Sequence, residues 1–293
     1  MPGNRVPAVR QDPFDGAKTG LGLLDSAQIR FIARMSDWIA VVLLGAIEGI
    51  TEFLPISSTG HLLLAEHWLG HRSELFNVVI QSGAVLAVLA VFAERAKTLV
   101  LGWSKPENRD YLLKLAAAFV LTAIGGLALK KAGLKLPKDT APIAWATLIG
   151  GVLFVGLERW LRGRSATETA TWSIALAVGV GQLLAVGFPG ASRSGTTILL
   201  ALALGLSRSA ATEFSFLLGI PTLLAAGAKE TLDSFKGHEP HEPWAMILLG
   251  TLVAAVTAFV VVKWLLGYVR NHTFTSFGWY RIAVGAAILL LVR

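Results

Sequence analysis

The hydrophobic residues of this chain fall into long blocks that are separated by short polar segments. Beyond residue 36, such blocks occupy approximately residues 76–92, 111–129, 142–157, 172–186, 198–206, 214–228, 244–266 and 279–292. Most of them approach the length of about 20 residues that an α-helix needs to cross a bilayer. The pattern therefore predicts an all-α polytopic membrane protein.

Two polar segments interrupt apolar sequence where a simple span would continue. The first is EGITEFLPISSTGH, residues 48–61, and the second is FPGASRSGTT, residues 188–197. In each segment a proline withdraws a backbone donor and disfavours helix at the residue before it. We expect the first helix to end near Leu54 and a turn to begin at Ser57. Because irregular backbone at membrane depth must be buried in protein or line a wet cavity, both segments predict re-entrant hairpins.

The two interruptions resemble each other, which suggests an internal repeat. Pro55 is followed by a serine-rich turn ending in glycine, Pro189 is followed by a similar one with one residue inserted, and Glu48 and Gln182 each lie seven residues before their proline. Paired broken helices of this kind are typical of inverted-topology repeats. The predicted architecture has six transmembrane helices and two re-entrant helix hairpins whose polar tips meet near the midplane. Repeat one covers about residues 36–157 and repeat two about residues 170–293.

The composition supports a membrane protein and favours lipids over nucleic acid as its partners. The 293 residues are 54% hydrophobic and 15% charged, and the mean hydropathy is +0.62. The net charge of +7 comes from short basic clusters between apolar blocks, which fit lipid headgroups and loop topology better than nucleic acid. Without cysteine, thiolate chemistry is excluded. Residues 1–35 carry mixed charge and several prolines, so they predict a polar N-terminal extension before an integral domain at 36–293.

Glu48 and Glu52 are acids inside an apolar run, and the cost of placing them there argues for function. Four residues apart on a helix, they project from the same face. Such a pair can share a divalent metal ion through oxygen ligands or divide the work of proton transfer. Ser58 and His61 follow closely, and His61 is a candidate nucleophile, or acid and base, with a carboxylate to orient it.

Arg193 precedes a new apolar helix and is flanked by small hydroxyl residues. A planar bidentate donor, hydroxyls and a helix N-terminus together are the parts of a phosphate cradle. No lysine follows the glycines as it would in a nucleotide-binding P-loop, so ATP chemistry is not expected. Gln81, in an apolar span, is a further residue that could reach the cavity.

The segment at 48–61, together with PGASRSGTT at 189–197, closely resembles the two signature motifs of the bacterial undecaprenyl-pyrophosphate phosphatases of the bacitracin-resistance type. FNVVIQSG, residues 76–83, resembles a third stretch of that family, although Asn77 stands where the family usually has an acidic residue. The resemblance covers about residues 36–293. It implies hydrolysis of undecaprenyl diphosphate to undecaprenyl phosphate and orthophosphate, recycling of the lipid carrier for peptidoglycan synthesis, and bacitracin resistance.

The resemblance also implies roles for individual residues. Glu48 and Glu52 would be acid and base or metal-associated carboxylates, with Mg²⁺ or Ca²⁺ as the cofactor, and Arg193 would clamp the diphosphate. Ser58, His61 and water remain alternative nucleophiles. Further donors to the substrate would be Ser57, Thr59, Gly60, Gln81, Ser192, Ser194, Gly195, Thr196 and Thr197.

The resemblance places the protein in the bacterial inner membrane, among membrane lipids, with an active site that faces the periplasm. Oligomeric state stays open, with a homodimer among the alternatives. An inverted repeat around a midplane site is also a transporter's design. A polyprenyl-phosphate flippase or anion transporter is therefore the alternative function.

Overall fold

The computed structural model describes residues 26–133, 139–237 and 241–291, with side chains from residue 36 onward. By its contacts the chain divides into a unit of residues 1–39 and a unit of residues 40–293. The described part of the first unit is the beginning of helix α1, which starts at Ser26. The predicted N-terminal extension at 1–35 therefore falls mostly outside the described residues.

Within the described ranges the chain forms eleven helices: α1 (Ser26–Thr51), α2 (Ser58–Leu69), α3 (Glu74–Val91), α4 (Ala93–Leu101), α5 (Pro106–Lys131), α6 (Thr140–Trp160), α7 (Trp172–Gly187), α8 (Arg193–Ala203), α9 (Arg208–Lys236), α10 (Trp244–Tyr268) and α11 (Thr275–Leu291). Five of them, α3, α5, α6, α9 and α10, are long and apolar enough to cross a membrane. Helices α7 and α11 are apolar but shorter, with 16 and 17 residues. The prediction of an all-helical polytopic membrane protein is confirmed.

Exposed side chains fit a lipid environment. Along α10 the exposed residues are large and apolar, among them Leu248, Leu252 and Val256. Exposed tryptophans lie close to helix ends, where amphipathic rings commonly anchor membrane proteins at the headgroups; they are Trp68, Trp103, Trp145, Trp160, Trp172, Trp244, Trp264 and Trp279. This surface is consistent with helices that are embedded in a bilayer.

Both predicted interruptions are breaks between helices, but their bounds differ from the prediction, and α1 ends at Thr51 rather than near Leu54. The first runs from the end of α1 to Ser57, and the expectation that Ser58, Thr59 and Gly60 belong to the turn is wrong, because they form the first turn of α2. Likewise Arg193 is already the first residue of α8. The polar residues of both motifs therefore stand at helix N-termini, where backbone N–H groups lack partners within the helix.

The same cap begins both helices. The hydroxyl of Ser57 accepts a hydrogen bond from the backbone N–H of Gly60 at 3.2 Å, and that of Ser192 accepts one from Gly195 at 3.1 Å. Serine is among the best residues for this position. Both serines also have positive φ angles, 74° and 70°, a conformation that costs a residue other than glycine about 1–3 kcal/mol. The two breaks thus share one unusual backbone geometry.

Helix packing brings the two breaks together. Helix α3 packs on α9 and α10, α6 packs on α11, and α8 packs on α7 and α9. Contacts of α2 and α8 with α6 place the two capped N-termini beside the same helix. The polar segment between the predicted blocks 76–92 and 111–129 contains a helix that we did not predict. Residues 93–101 form α4, since helix-forming residues precede Leu99, which is buried against neighbouring helices.

Candidate active site

Glu52 connects the two broken segments. It lies one residue beyond α1, and its carboxylate is almost entirely buried. Its Oε2 accepts a hydrogen bond from the Ser58 hydroxyl at 2.7 Å, and its Oε1 accepts one from Nη2 of Arg193 at 3.1 Å. The acid of the first motif is therefore paired with the arginine of the second, 141 residues away in sequence.

Glu48 lies one helical turn before Glu52 and is fully buried. No described residue donates a hydrogen bond to either of its carboxylate oxygens, and the carboxylate within hydrogen-bonding reach is that of Glu52. The charged groups that act on it electrostatically are Glu52, as the spacing of four residues predicts, and Arg193. A buried carboxylate without a partner is costly, so this position calls for a proton or a bound cation.

Arg193 has capacity left to bind an anion. Its side chain is 13% exposed, and its guanidinium lies 5.3 Å from the centre of the Phe53 ring. One Nη atom is used by Glu52, but within the described part of the chain Nε and Nη1 have no partner. Gly219 on α9 provides the room, because a Cβ there would lie 2.3 Å from Nη1. Both unpartnered donor atoms are themselves buried, and a guanidinium with unused donors in a cavity wall is suited to phosphate oxygens.

A cavity of about 220 Å³ opens at these groups. Six of the predicted site residues line it: Glu52, Ser58, Thr59, Gln81, Ser192 and Arg193. The structure adds polar residues that we did not predict, namely Thr122, Gln182 and Thr222. Because α2 and α8 both begin at this cavity, two helix N-termini with partial positive charge adjoin it. The cavity is thus built for an anion.

Three other predicted hydroxyl residues stabilise the two breaks from positions outside the cavity lining. Ser194 is buried and donates to the Leu54 carbonyl at 3.0 Å, so it ties one break to the other. Thr196 donates to the Ser192 carbonyl at 2.9 Å, and Thr197 shares a hydrogen bond with Ser215 at 2.5 Å. Their hydroxyls are engaged within the protein. In these positions they shape the cavity without facing it.

His61 has different partners from those we expected. Its Nδ1 lies 2.7 Å from the Ser57 carbonyl, and its Nε2 lies 2.8 Å from the hydroxyl of Tyr280 on α11. Because a carbonyl can only accept, Nδ1 carries the proton in neutral imidazole and Nε2 accepts from Tyr280. The orienting groups are therefore a carbonyl and a tyrosine, in place of the carboxylate that the sequence suggested.

Arg281 is a central residue that sequence reasoning missed. It is fully buried on α11, and its guanidinium donates to the carbonyls of Pro55 (3.1 Å), Gly190 (3.2 Å) and Ala191 (2.9 Å). Its Nε also donates to the Thr147 carbonyl at 3.1 Å. One side chain thus holds the backbone of both breaks. The signal was present, since an arginine inside the apolar block at 279–292 is costly without such partners.

Asn77, which departs from the family pattern, lies away from the cavity lining. Its side-chain Nδ2 donates to Oε1 of the buried Glu66 at 2.8 Å. An acidic residue at this position would instead face Glu66 as a like charge. In this chain the pair is an amide and a carboxylate that ties α3 to α2.

Glu48 and Glu52 are also the residues that fit a divalent cation. In the described ranges no three His, Asp or Glu side chains cluster in a way that could hold a metal ion. Mg²⁺, however, is commonly bound by one or two carboxylates while substrate phosphates and water complete its shell. The unpartnered oxygens of Glu48 beside a second carboxylate match that requirement.

A larger cavity, about 340 Å³, lies elsewhere and is lined by Arg95, Tyr111 and Glu213 among others. Its charged groups satisfy one another: Arg95 Nε donates to Glu213 at 2.8 Å, and the Tyr111 hydroxyl donates to the same oxygen at 3.3 Å. The smaller cavity at Glu52 is the candidate active site, because Arg193 in its wall keeps donors that have no partner among the described residues.

Comparison with known proteins identifies the family of this chain. A family model described as bacitracin resistance protein BacA matches residues 41–287. The chain belongs to the BacA family. BacA relatives named undecaprenyl-diphosphatase include one from Xylella fastidiosa, 52% identical over 87% of this chain and 98% of the relative. Another, from Rhizobium etli, is 52% identical over 86% of this chain and 96% of the relative. A third, from Xanthomonas oryzae, is 51% identical over 87% and 97%.

Proposed function

We propose that this protein hydrolyses undecaprenyl diphosphate to undecaprenyl phosphate and orthophosphate. The reaction recycles the lipid carrier for peptidoglycan synthesis and confers bacitracin resistance, because that antibiotic captures the diphosphate form. The names of the BacA relatives support this function. The observation that carries it is Glu52, which binds both the Ser58 hydroxyl and Arg193 at a cavity between two helix N-termini.

Ser58 is the nucleophile in the proposed mechanism. Its hydroxyl already donates to Glu52, which is the arrangement in which a carboxylate can accept the proton as the oxygen attacks. A bond forms between Oγ and the terminal phosphorus, and the bond from that phosphorus to the bridging oxygen breaks. Undecaprenyl phosphate leaves with the electron pair, and Glu52 holds the proton.

Water completes the cycle. It attacks the phosphoserine, the bond between phosphorus and Oγ breaks, and orthophosphate is released. The Ser58 oxygen takes back a proton, and the proton lost by water passes to the carboxylates. His61, whose Nε2 is occupied by Tyr280, stands outside this pair and acts on the first turn of α2 through its bond to Ser57.

Charge stabilisation comes from the second motif. Phosphoryl transfer depends mainly on positioning and on neutralising the charge of the phosphoryl oxygens. The two unpartnered donors of Arg193 and the backbone N–H groups at the start of α2 and α8 supply that neutralisation. Glu52 orients Arg193 in turn, so the same carboxylate links the nucleophile to the cation.

Glu48 and Glu52 would hold a divalent cation, Mg²⁺ or Ca²⁺. When bound, such an ion offsets negative charge on the diphosphate oxygens. Without it, the same two acids would share a proton, since two adjacent buried carboxylates do not both ionise readily. An assay without metal ions therefore distinguishes the two roles of Glu48, which are to hold the cation and to share a proton with Glu52.

The proposed architecture is the predicted inverted repeat of six spans and two hairpins. Its support is the exchange of partners between equivalent helices: α3 packs on α10 while α5 packs on α9, and α6 packs on α8 while α2 packs on α11. The matching caps at Ser57 and Ser192 also support it. Two hairpins that enter from opposite sides explain how both N-termini reach one cavity.

The proposed location is the bacterial inner membrane, with the cavity opening to the periplasm. Under the repeat, one end of the bundle carries the basic residues Arg95, Lys97, Arg159, Arg162 and Arg164, which the positive-inside rule assigns to the cytoplasm. The cavity residues Gln81, in the first half of α3, and Ala226, in the second half of α9, lie toward the other end.

The function is tested by orthophosphate release from undecaprenyl diphosphate by the purified protein in detergent and in liposomes. We expect release that depends on protein and is lost in a folded Glu52→Gln variant. A transporter would move the lipid across liposomes without hydrolysing it. Lipid movement without phosphate release by folded wild type would replace this proposal with that alternative.

A further inference from the structure

Gln182, on α7, has a buried side-chain oxygen to which no described residue donates. The residue is 1% exposed and lines the cavity at Glu52. Its Nε2 donates to the Thr122 hydroxyl at 3.0 Å, whereas its Oε1 accepts no hydrogen bond within the described part of the chain. A buried acceptor without a donor is costly, so this oxygen calls for a ligand that donates to it.

Thr122 determines the orientation of the Gln182 amide. Its hydroxyl lies 2.9 Å from the carbonyl oxygen of Ala118 and 3.2 Å from that of Gly179. Because a hydroxyl has one proton and a carbonyl can only accept, the proton of Thr122 is used by these carbonyls and a lone pair faces Gln182. The amide nitrogen of Gln182 must therefore face Thr122, which leaves the amide oxygen to bind a ligand.

The chemistry of the cavity limits the identity of that ligand. The groups that suit phosphate are donors, namely Arg193 and the backbone N–H groups at the start of α2 and α8, whereas a carbonyl oxygen repels charged phosphate oxygens. At neutral pH a phosphoserine carries a charge of about −1.5 to −2, so it is largely without a hydroxyl that could donate to Gln182. Water can donate, and the second step of the proposed mechanism requires a water molecule.

The repeat gives Gln182 a charged counterpart. Gln182 and Glu48 each lie seven residues before their proline, and both are buried with oxygens to which no described residue donates. A carboxylate at this position can take up a proton. An amide oxygen accepts a hydrogen bond but does not take up the proton. Gln182 is therefore suited to hold a water molecule whose proton passes to another group.

The helices that carry Gln182 differ from those around the nucleophile. α2, which begins at Ser58, packs on α6 and α11, whereas α7 and α5, which carry Gln182 and Thr122, pack on each other. The attacking and leaving oxygens of phosphoryl transfer lie roughly in line with the phosphorus. A water molecule on Gln182 would approach a phosphoserine at Ser58 from a different wall of the cavity, as this requirement demands.

We propose that Oε1 of Gln182 holds and orients the water molecule that hydrolyses the phosphoserine at Ser58. The inference rests on the proposed function and deepens its second step. The water oxygen forms a bond to phosphorus, the bond from phosphorus to Oγ breaks, and Oγ takes the proton that Glu52 received in the first step. One hydrogen of the water stays on the oxygen and leaves with orthophosphate, and the other passes to the carboxylates of Glu48 and Glu52.

Gln182→Met tests the inference, because methionine has a similar length and lacks the acceptor. The variant is mixed with excess undecaprenyl diphosphate and quenched in acid, and undecaprenyl phosphate, orthophosphate and phosphoserine at Ser58 are measured separately. We expect the first turnover to yield undecaprenyl phosphate within about threefold of the wild-type rate, because that step uses no water. Release of orthophosphate slows by about a hundredfold, so phosphoserine accumulates in the variant.

Substitutions of Thr122 test the same inference without altering Gln182. Thr122→Val removes the hydroxyl that orients the amide, so we expect about tenfold slower orthophosphate release and accumulation of phosphoserine. Thr122→Ser keeps the hydroxyl and should restore release to within about threefold of wild type. The control is Thr212→Val, because Thr212 is buried outside the cavity lining and donates to the carbonyl of Arg208 one turn earlier. Thermal unfolding in detergent checks that each variant is folded.

The outcomes distinguish this inference from the function on which it rests. If wild type releases no phosphate from undecaprenyl diphosphate, the proposed function is wrong. If wild type is active and Gln182→Met slows both products equally, or slows neither, the role of Gln182 is wrong. A variant that needs more Mg²⁺ or Ca²⁺ than wild type would also overturn it, since Gln182 would then be a ligand of the cation. If Gln182→Met does not fold, the Thr122 variants decide.

Discussion

At the scale of single residues, the site consists of charged side chains that can be recognised in the sequence, because burying a charge in apolar surroundings is energetically costly. Glu48, Glu52 and Arg193 stand out because each is ionisable in apolar surroundings, and their proximity is what the structure adds. The sequence did not reveal which groups touch. Ser58 meets Glu52 directly, whereas His61 meets Tyr280, a partner 219 residues away that no local pattern identifies.

Gly219 is predicted to leave the space that the guanidinium of Arg193 occupies. In Gly219→Ala, the new Cβ would lie 2.3 Å from Nη1, so the guanidinium must move away from Glu52. We expect kcat/KM for phosphate release to fall by about a hundredfold, as displacement of a substrate-positioning group does. Gly126→Ala on α5 is the control, because a Cβ there meets nothing within 4 Å. Equal activity of the two variants would contradict this role of Gly219.

The hydroxyl of Tyr280 is predicted to hold His61 in one tautomer. Tyr280→Phe removes the donor to Nε2 while keeping the ring, so we expect kcat to fall by about tenfold, because His61 then holds the first turn of α2, which carries Ser58, less firmly. KM stays within about twofold of wild type, because Tyr280 lies outside the cavity lining. The control is Tyr268→Phe, whose hydroxyl contacts only Ser276 among the described side chains. A wild-type kcat for Tyr280→Phe would refute the prediction.

At the scale of elements, the site depends on two helix breaks with one geometry. Their positions were predictable from Pro55 and Pro189, because proline disfavours helix at the residue before it. The length of the breaks was not predictable, since the positive φ angles of Ser57 and Ser192 are stabilised by tertiary contacts. Arg281 makes several of these contacts, and its hydrogen-bond partners lie on three different segments of the chain.

Arg281→Met is predicted to loosen both breaks. The substitution keeps an apolar side chain of similar length, but it leaves the Pro55 carbonyl without a donor. It also removes the Arg281 donor from the carbonyls of Gly190 and Ala191, which keep only the hydroxyls of Thr147 and Thr196. We expect the free energy of unfolding to fall by about 3–5 kcal/mol and phosphate release to fall by about a hundredfold. Thermal unfolding in detergent and the phosphate assay measure the two effects. Arg270→Met, at an exposed position, is the control, and equal stability of the two variants would contradict the role of Arg281.

At the scale of the whole molecule, the spanning helices were largely predictable, because lipid-facing helices must be long and apolar. α4 was missed, since its short sequence lacks a long apolar run. From the sequence, the proximity of the two breaks could be predicted only because an inverted repeat would bring them together. The actual contacts depend on how α3, α6, α9 and α11 pack.

The divalent cation is predicted to act through Glu48 and Glu52 together. We expect EDTA to lower phosphate release by wild type, and added Mg²⁺ or Ca²⁺ to restore it, because the ion offsets charge on the diphosphate. In Glu48→Gln the restoring concentration of the ion should rise by about tenfold or more, since one charged ligand is lost. Metal titration of the EDTA-treated proteins makes the comparison. A Glu48→Gln variant that responds to the ion as wild type does would remove Glu48 from that role.

The measurement that most directly tests the account is phosphate release from undecaprenyl diphosphate by Ser58→Ala, with Thr59→Val as the control at the adjacent cavity hydroxyl. If Ser58 is the nucleophile activated by Glu52, Ser58→Ala loses about a thousandfold or more of kcat, while Thr59→Val stays within about tenfold of wild type. A folded Ser58→Ala protein with activity comparable to wild type would contradict the mechanism and return the nucleophile to His61 or water.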